Sequence, residues 1–204
     1  MLLPHKVAVV GFQGDVSEHV TILKRTFRKL EIDGEVVQAR RAEDLSNASG
    51  IILPGGESTT IYKLTKQFGL YDEIRRLAMS GIPVMGTCAG LILISRETND
   101  DRVKGMGLLD IEIERNAYGR QIDSFIEYID IIGIGMFPAV FIRAPVISNP
   151  GAAKVMAKRK TEVVMVRQDN IIGLTFHPEL TDDTRIHEYF ISIVEGERYI
   201  STGR

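Results

Sequence analysis

Cysteine is almost missing from this chain. Its 204 residues hold one, Cys88, so no intramolecular disulfide can form. A thiol kept single fits a reducing compartment, and the cytosol is expected. No apolar run reaches the ~18–20 residues needed to cross a bilayer. The opening Met-Leu-Leu-Pro-His-Lys runs straight into a short apolar stretch. It lacks the charged, apolar and small-residue regions of a secretory signal, so none is expected. A formal charge of -2 gives no basic excess for nucleic acid or a membrane surface. Repeats, low-complexity tracts and long linkers are also missing. What remains is an ordinary globular composition, 44% apolar and 25% charged, long enough for one domain, 1–204, with a proper core.

The first hundred residues alternate in period. Residues 6–10, 35–38, 50–53 and 83–85 read as short buried strands, the last ended by Gly86. Between them, Val16, Val20, Leu23, Phe27 and Leu30 recur at helical spacing, with Asp15 placed to start the helix. Residues 58–68 and 71–79 also read as helices. This alternation implies βαβ units and a mostly parallel sheet. Residues 111–114, 126–132, 139–142, 155–157, 162–167 and 171–176 then read as strands, with turns at 159–161 and 168–170. A last helix spans 182–194. The expected fold class is α/β, a three-layer α/β/α arrangement with a mostly parallel open sheet and strand-rich antiparallel additions.

Gly86-Thr-Cys88-Ala89-Gly90 stands between a predicted strand and the apolar run 91–94. This is the G-x-C-x-G form of a nucleophile elbow, which thrusts the central side chain out above the sheet. The following helix aims its positive end at the sulfur, and the Ala89 N–H faces the place where an oxyanion would form. A buried inert cysteine is the bland alternative. Against it stands Phe176-His177-Pro178-Glu179 at a predicted strand end. In an extended chain, residues 177 and 179 project to one side. A carboxylate beside an imidazole fixes its tautomer, and the other ring nitrogen can serve a thiol. His5, His19 and His187 have no comparable neighbours in sequence. Pro54-Gly55-Gly56-Glu57-Ser58-Thr59 also follows a strand and opens a helix. Ser58 or Thr59 is expected to cap that helix, and the Gly56 N–H to be a second oxyanion donor. The phosphate-loop patterns G-x-x-x-x-G-K-[ST] and G-x-G-x-x-G are not present. A plain tight turn is the alternative.

Pro-Gly-Gly-Glu-Ser, Gly-Thr-Cys-Ala-Gly and His-Pro-Glu, in that order, resemble the class I (triad-type) glutamine amidotransferases, whose fold is flavodoxin-like. The stretches Gly11-Phe-Gln13-Gly14, Glu18-His19, Glu114-Arg115-Asn116, Gly-Arg-Gln-Ile-Asp-Ser-Phe at 119–125, Phe-Ile-Arg-Ala-Pro at 141–145 and His-Pro-Glu-Leu-Thr at 177–181 narrow the resemblance. They are similar to the glutaminase subunits of pyridoxal phosphate synthases. The resemblance implies Cys88 as nucleophile, His177 as general base and acid, and Glu179 as the orienting carboxylate. It implies a glutamine pocket of Gly56, Glu57, Ser58, Arg115, Ile142 and Arg143, and it turns Gln13 toward a partner and the oxyanion region. Asp15 and Ser17 depart from the family pattern in that first loop. The implied reaction needs no metal and no cofactor. The implied partner is a (β/α)8 synthase subunit in a large hetero-oligomer, making pyridoxal 5'-phosphate. Two alternatives stay open: a glutaminase serving another synthase, and a non-catalytic module on the same fold. Arg115 and Arg143 also have the plain alternative of surface ion pairs.

Overall fold

A computed structural model describes residues 5–115 and 124–196. The 119–125 motif therefore lies almost wholly outside the described residues. Five parallel strands form the part of the sheet that matters for function: β1 (His5–Val10), β2 (Gly34–Ala39), β3 (Gly50–Leu53), β4 (Val84–Thr87) and β12 (Ile171–Leu174). They stand side by side in the order β2-β1-β3-β4-β12. The path continues antiparallel through β11 (Glu162–Gln168), β10 (Lys154–Arg159), β7 (Phe125–Ile131) and β8 (Gly135–Phe141). β5 (Ser95–Thr98), β6 (Leu109–Glu114) and β9 (Val146–Asn149) pair off this path.

Two layers of helix cover the sheet. Side chains alternate across a strand, so β1 feeds two cores. Val7 and Val9 pack with Leu23 and Phe27 of α1 (Val16–Leu30) and Ile186 and Phe190 of α5 (Arg185–Val194). Ala8 and Val10 pack with Ile61 of α2 (Ser58–Gln67), Ile74 of α3 (Leu70–Met79) and Leu91 of α4 (Ala89–Ile94). The expected α/β class with antiparallel additions is what the chain forms. No helix among the described residues is long and apolar enough to cross a membrane.

Several boundaries differ from the sequence reading. Gly86 does not end its strand. It lies inside β4, paired with Leu53 and Gly173, and a Cβ there would come within 2.7 Å of Gly90. The glycine is needed because α4 crosses the strand at backbone contact. β5 and β9 were not foreseen, since four polar or mixed residues carry no period. β8 starts before Pro138, not at Ala139; Pro138 is tolerated because β8 is the last strand of the path. The last helix starts at Arg185 instead of Asp182.

Candidate active site

Because five neighbouring strands run parallel, their carboxyl ends share one edge, where sites of open α/β sheets gather. β4 delivers Cys88 there. Its backbone sits at φ 47° and ψ -103°, a positive φ outside the favoured regions that costs ~1–3 kcal/mol. The surroundings impose it: the Cys88 N–H donates to Leu174 O at 2.9 Å, and α4 begins at the next residue. Cys88 is 7% exposed, and its thiol donates to the Ile142 carbonyl at 3.8 Å.

His177 lies three residues beyond β12, because the strand stops at Leu174 and not at Phe176. Its N–H donates to Val140 O at 2.8 Å. The segment is not extended after it: Pro178–Leu180 forms a 3-10 turn with Pro178 at its start. That turn, rather than strand alternation, brings Glu179 Oε1 to 2.8 Å from His177 Nδ1. A second carboxylate competes for the same nitrogen. Asp15 Oδ2 is 3.2 Å away. Asp15 precedes α1 as expected, but its side chain makes no capping bond to that helix.

Two acceptors at Nδ1 place the ring proton there and leave Nε2 free for a proton from substrate or thiol. Burial disfavours the imidazolium, but Asp15, Cys88 and Glu179 together outweigh burial and raise His177 well above its ordinary value of 6.5. Cys88 thus acts on His177 electrostatically, although Nε2 meets no partner at hydrogen-bond geometry. Burial pushes the Glu179 carboxyl up, while His177 pulls it down. Asp15, His177 and Glu179 also hold ligand-type atoms within 4.8 Å of one another. Two carboxylates around one imidazole N–H serve equally to hold a protonated histidine, and nothing else in the cluster points to a metal.

A cavity of about 140 Å3 opens in front of the thiol. Gly56, Glu57, Ser58, Cys88, Ala89, Ile92, Arg115, Arg143 and Pro145 line it. Every substrate residue expected from sequence is there except Ile142, whose carbonyl faces the sulfur instead. Glu57, not Ser58 or Thr59, caps α2, with its carboxylate accepting the Thr60 N–H at 2.8 Å. Burial raises its acid, but these bonds and the Thr59 hydroxyl bring it down to about 2. Arg115 is ion-paired, with Asp100 and with Glu57 at 3.5 Å, yet it points into the cavity. Gly56 has φ 140°, a conformation suited to glycine. The neighbouring Glu57 N–H donates to Gln13 Oε1 at 2.9 Å, so the exposed first loop is tied to the Gly-Gly turn.

A model of the SNO glutamine amidotransferase family matches residues 9–196. The chain belongs to this family. Among its relatives, the pyridoxal 5'-phosphate synthase subunit PdxT of Thermoplasma acidophilum is 57% identical over 197 residues, covering 96% of this chain and 97% of that one. The subunit of the same name from Thermoplasma volcanium is 59% identical over 196 residues, covering 96% and 98%. A crystal structure of a glutamine amidotransferase is similar at a TM-score of 0.83 and 39% identity, covering 93% of this chain and 98% of the other.

Sequence reasoning missed Asp15, Asp100, Thr87, His19 and His187 as parts of this site. The sequence reading names Asp15 as a helix start, and Thr87 and His19 within motif stretches, without such a role; His19 left a physical trace. It shares a helical stripe with the buried Ile22, Leu23, Thr26 and Phe27, where a histidine needs a partner.

Proposed function

We propose that the chain is the glutaminase subunit of a pyridoxal 5'-phosphate synthase, a single domain over 1–204. It would hydrolyse L-glutamine and pass ammonia to a (β/α)8 synthase subunit in a cytoplasmic hetero-oligomer. The observation that carries the chemistry is Cys88, strained at a strand end on the wall of a charged cavity, with the His177–Glu179 pair beside it. The relatives' shared name supports the choice of synthase.

In this reading the Cys88 sulfur attacks the side-chain amide carbon of glutamine. The N–H groups of Gly56 and Ala89 hold the oxyanion, a contribution of ~10²–10³-fold per donor. His177, held as the imidazolium by Glu179, protonates the departing ammonia at Nε2. The C–N bond breaks and a glutamyl thioester remains. His177 then takes a proton from water, which attacks the thioester and frees glutamate and the thiol. Arg115 and Arg143 suit the substrate carboxylate, and Glu57 its ammonium. Gln13 couples partner docking to the Gly-Gly turn, so activity without the partner is expected to be low.

The test is ammonia release from glutamine by the purified chain, with and without the synthase subunit. Release that depends on the partner and is lost in Cys88→Ala is expected. Release indifferent to that partner would keep the chemistry and discard the synthase. No release in either case would leave the non-catalytic reading standing.

A further inference from the structure

Behind Glu179 lies a pair of histidines that this chemistry does not use. His19 of α1 and His187 of α5 are both fully buried. His19 Nδ1 is 3.2 Å from His187 Nε2. His19 Nε2 is 3.2 Å from the Thr87 hydroxyl and 3.4 Å from Glu179 Oε2. That far carboxylate oxygen meets no donor at hydrogen-bond geometry, so its contact with His19 is one of proximity, and His187 Nδ1 is also without a partner.

Both rings are neutral at ordinary pH. Burial and the neighbouring histidines hold His19 well below its usual value, and burial brings His187 down to about 3. A neutral imidazole has one donor and one acceptor nitrogen. If His19 carried its proton on Nδ1, its bare Nε2 would face the lone pairs of Glu179, and His187 Nε2 would have to accept. His187 would then bury an unsatisfied N–H. With the proton on Nε2, His19 faces Thr87 and the carboxylate as a donor. His187 then donates to His19 Nδ1 and leaves over only an acceptor. The second set is the cheaper one, because it turns an N–H and not a lone pair toward the Glu179 carboxylate.

Glu179 needs such a hold. Its terminal torsion is soft, and Asp15 waits 3.2 Å from the same His177 nitrogen. We propose that His19 is a positioning residue: its Nε2–H anchors the far oxygen of Glu179, so that the near oxygen stays on His177 and Asp15 does not displace it. His187 fixes the tautomer of His19 from behind. The proposal rests on the triad reading above. The titratable groups facing His19 are His187 from α5 and Glu179 and His177 from the turn after β12; Asp15 lies beyond His177.

The experiment compares wild type, His19→Leu and His19→Gln, each with the synthase subunit, in glutamine kinetics across pH. His19→Leu is expected to lose ~10–100-fold in kcat, by analogy with the loss when the outer partner of a metal-bound histidine is removed, with KM unchanged and the pH profile displaced. His19→Gln keeps an N–H near the position of Nε2 and is expected to recover most of the rate. Wild-type kcat and pH profile in His19→Leu would overturn the proposal. So would equal losses in both variants that follow only their thermal stability. Should neither variant fold, nitrogen-labelled histidine spectra of the unaltered chain decide: a proton on His19 Nε2 supports the anchor, and one on Nδ1 overturns it. An inactive wild type would sink the glutaminase reading, and the same spectra would still report the tautomer.

Discussion

His177 is buried and packed directly against Gly55. A Cβ added to Gly55 would lie 2.3 Å from His177 Cε1 and 2.8 Å from Asp15 Oδ2. Gly55 is glycine because the imidazole occupies the space a methyl would take, not because the turn requires an unusual φ. Gly55→Ala is therefore expected to drive the ring out of place. A misplacement of ~1 Å costs on the order of 10²-fold in rate, so kcat for ammonia release should fall that far. Wild-type kcat in a folded Gly55→Ala protein would show that the ring has room to give. Glu57 illustrates the opposite economy at this scale. One carboxylate caps α2, pairs with Arg115 and lines the cavity.

At the scale of elements, the decisive contact is α4 against the sheet. The helix has only six residues, Ala89–Ile94, all buried. It carries Cys88 at its start and cannot shift without moving the sulfur. Gly90 permits the approach: a Cβ there would stand 1.9 Å from Leu53 O. Gly90→Ala must push α4 off β3, and overpacking of this kind costs ~1–3 kcal/mol. Urea denaturation should show that loss as a lower midpoint with an unchanged slope. A midpoint equal to wild type would mean that the helix has slack. The antiparallel additions matter here through β8, whose Val140 carbonyl accepts the His177 N–H. Strand-rich insertions thus hold the residue that the parallel strands deliver.

Across the whole molecule, the His19–His187 pair ties α1 and α5 together under the sheet edge. Both groups are depressed in the folded state. For a depressed group, the stability contribution is present above the unfolded value of 6.5 and is lost as pH falls toward the folded one. In that window the unfolded chain binds protons that the folded chain refuses. Each such histidine can cost up to ~1.4 kcal/mol per pH unit. His177 has the reverse sign: its contribution is complete below 6.5 and fades as pH rises from there toward its raised value. Thermal stability is therefore expected to fall from pH 7 to about pH 5, and His187→Phe should flatten that slope. An equal slope in both proteins would assign acid sensitivity to other groups.

The sequence by itself determined the parallel strands, the helices between them and the three chemical motifs, because each is a local pattern. Apolar period, glycine at a close approach and Cys-Ala-Gly at an elbow are written within a few neighbouring residues. It also placed Glu57, Arg115 and Arg143, through family resemblance. It misjudged the route from His177 to Glu179, since an extended chain and a 3-10 turn both put them on one side. Only the tertiary structure brought His19 and His187 together from 168 residues apart, or set Asp15 against His177 across two loops. Those contacts arise where separate strand ends and helix faces converge. Their partners are fixed by packing in three dimensions, and no spacing along the chain encodes them.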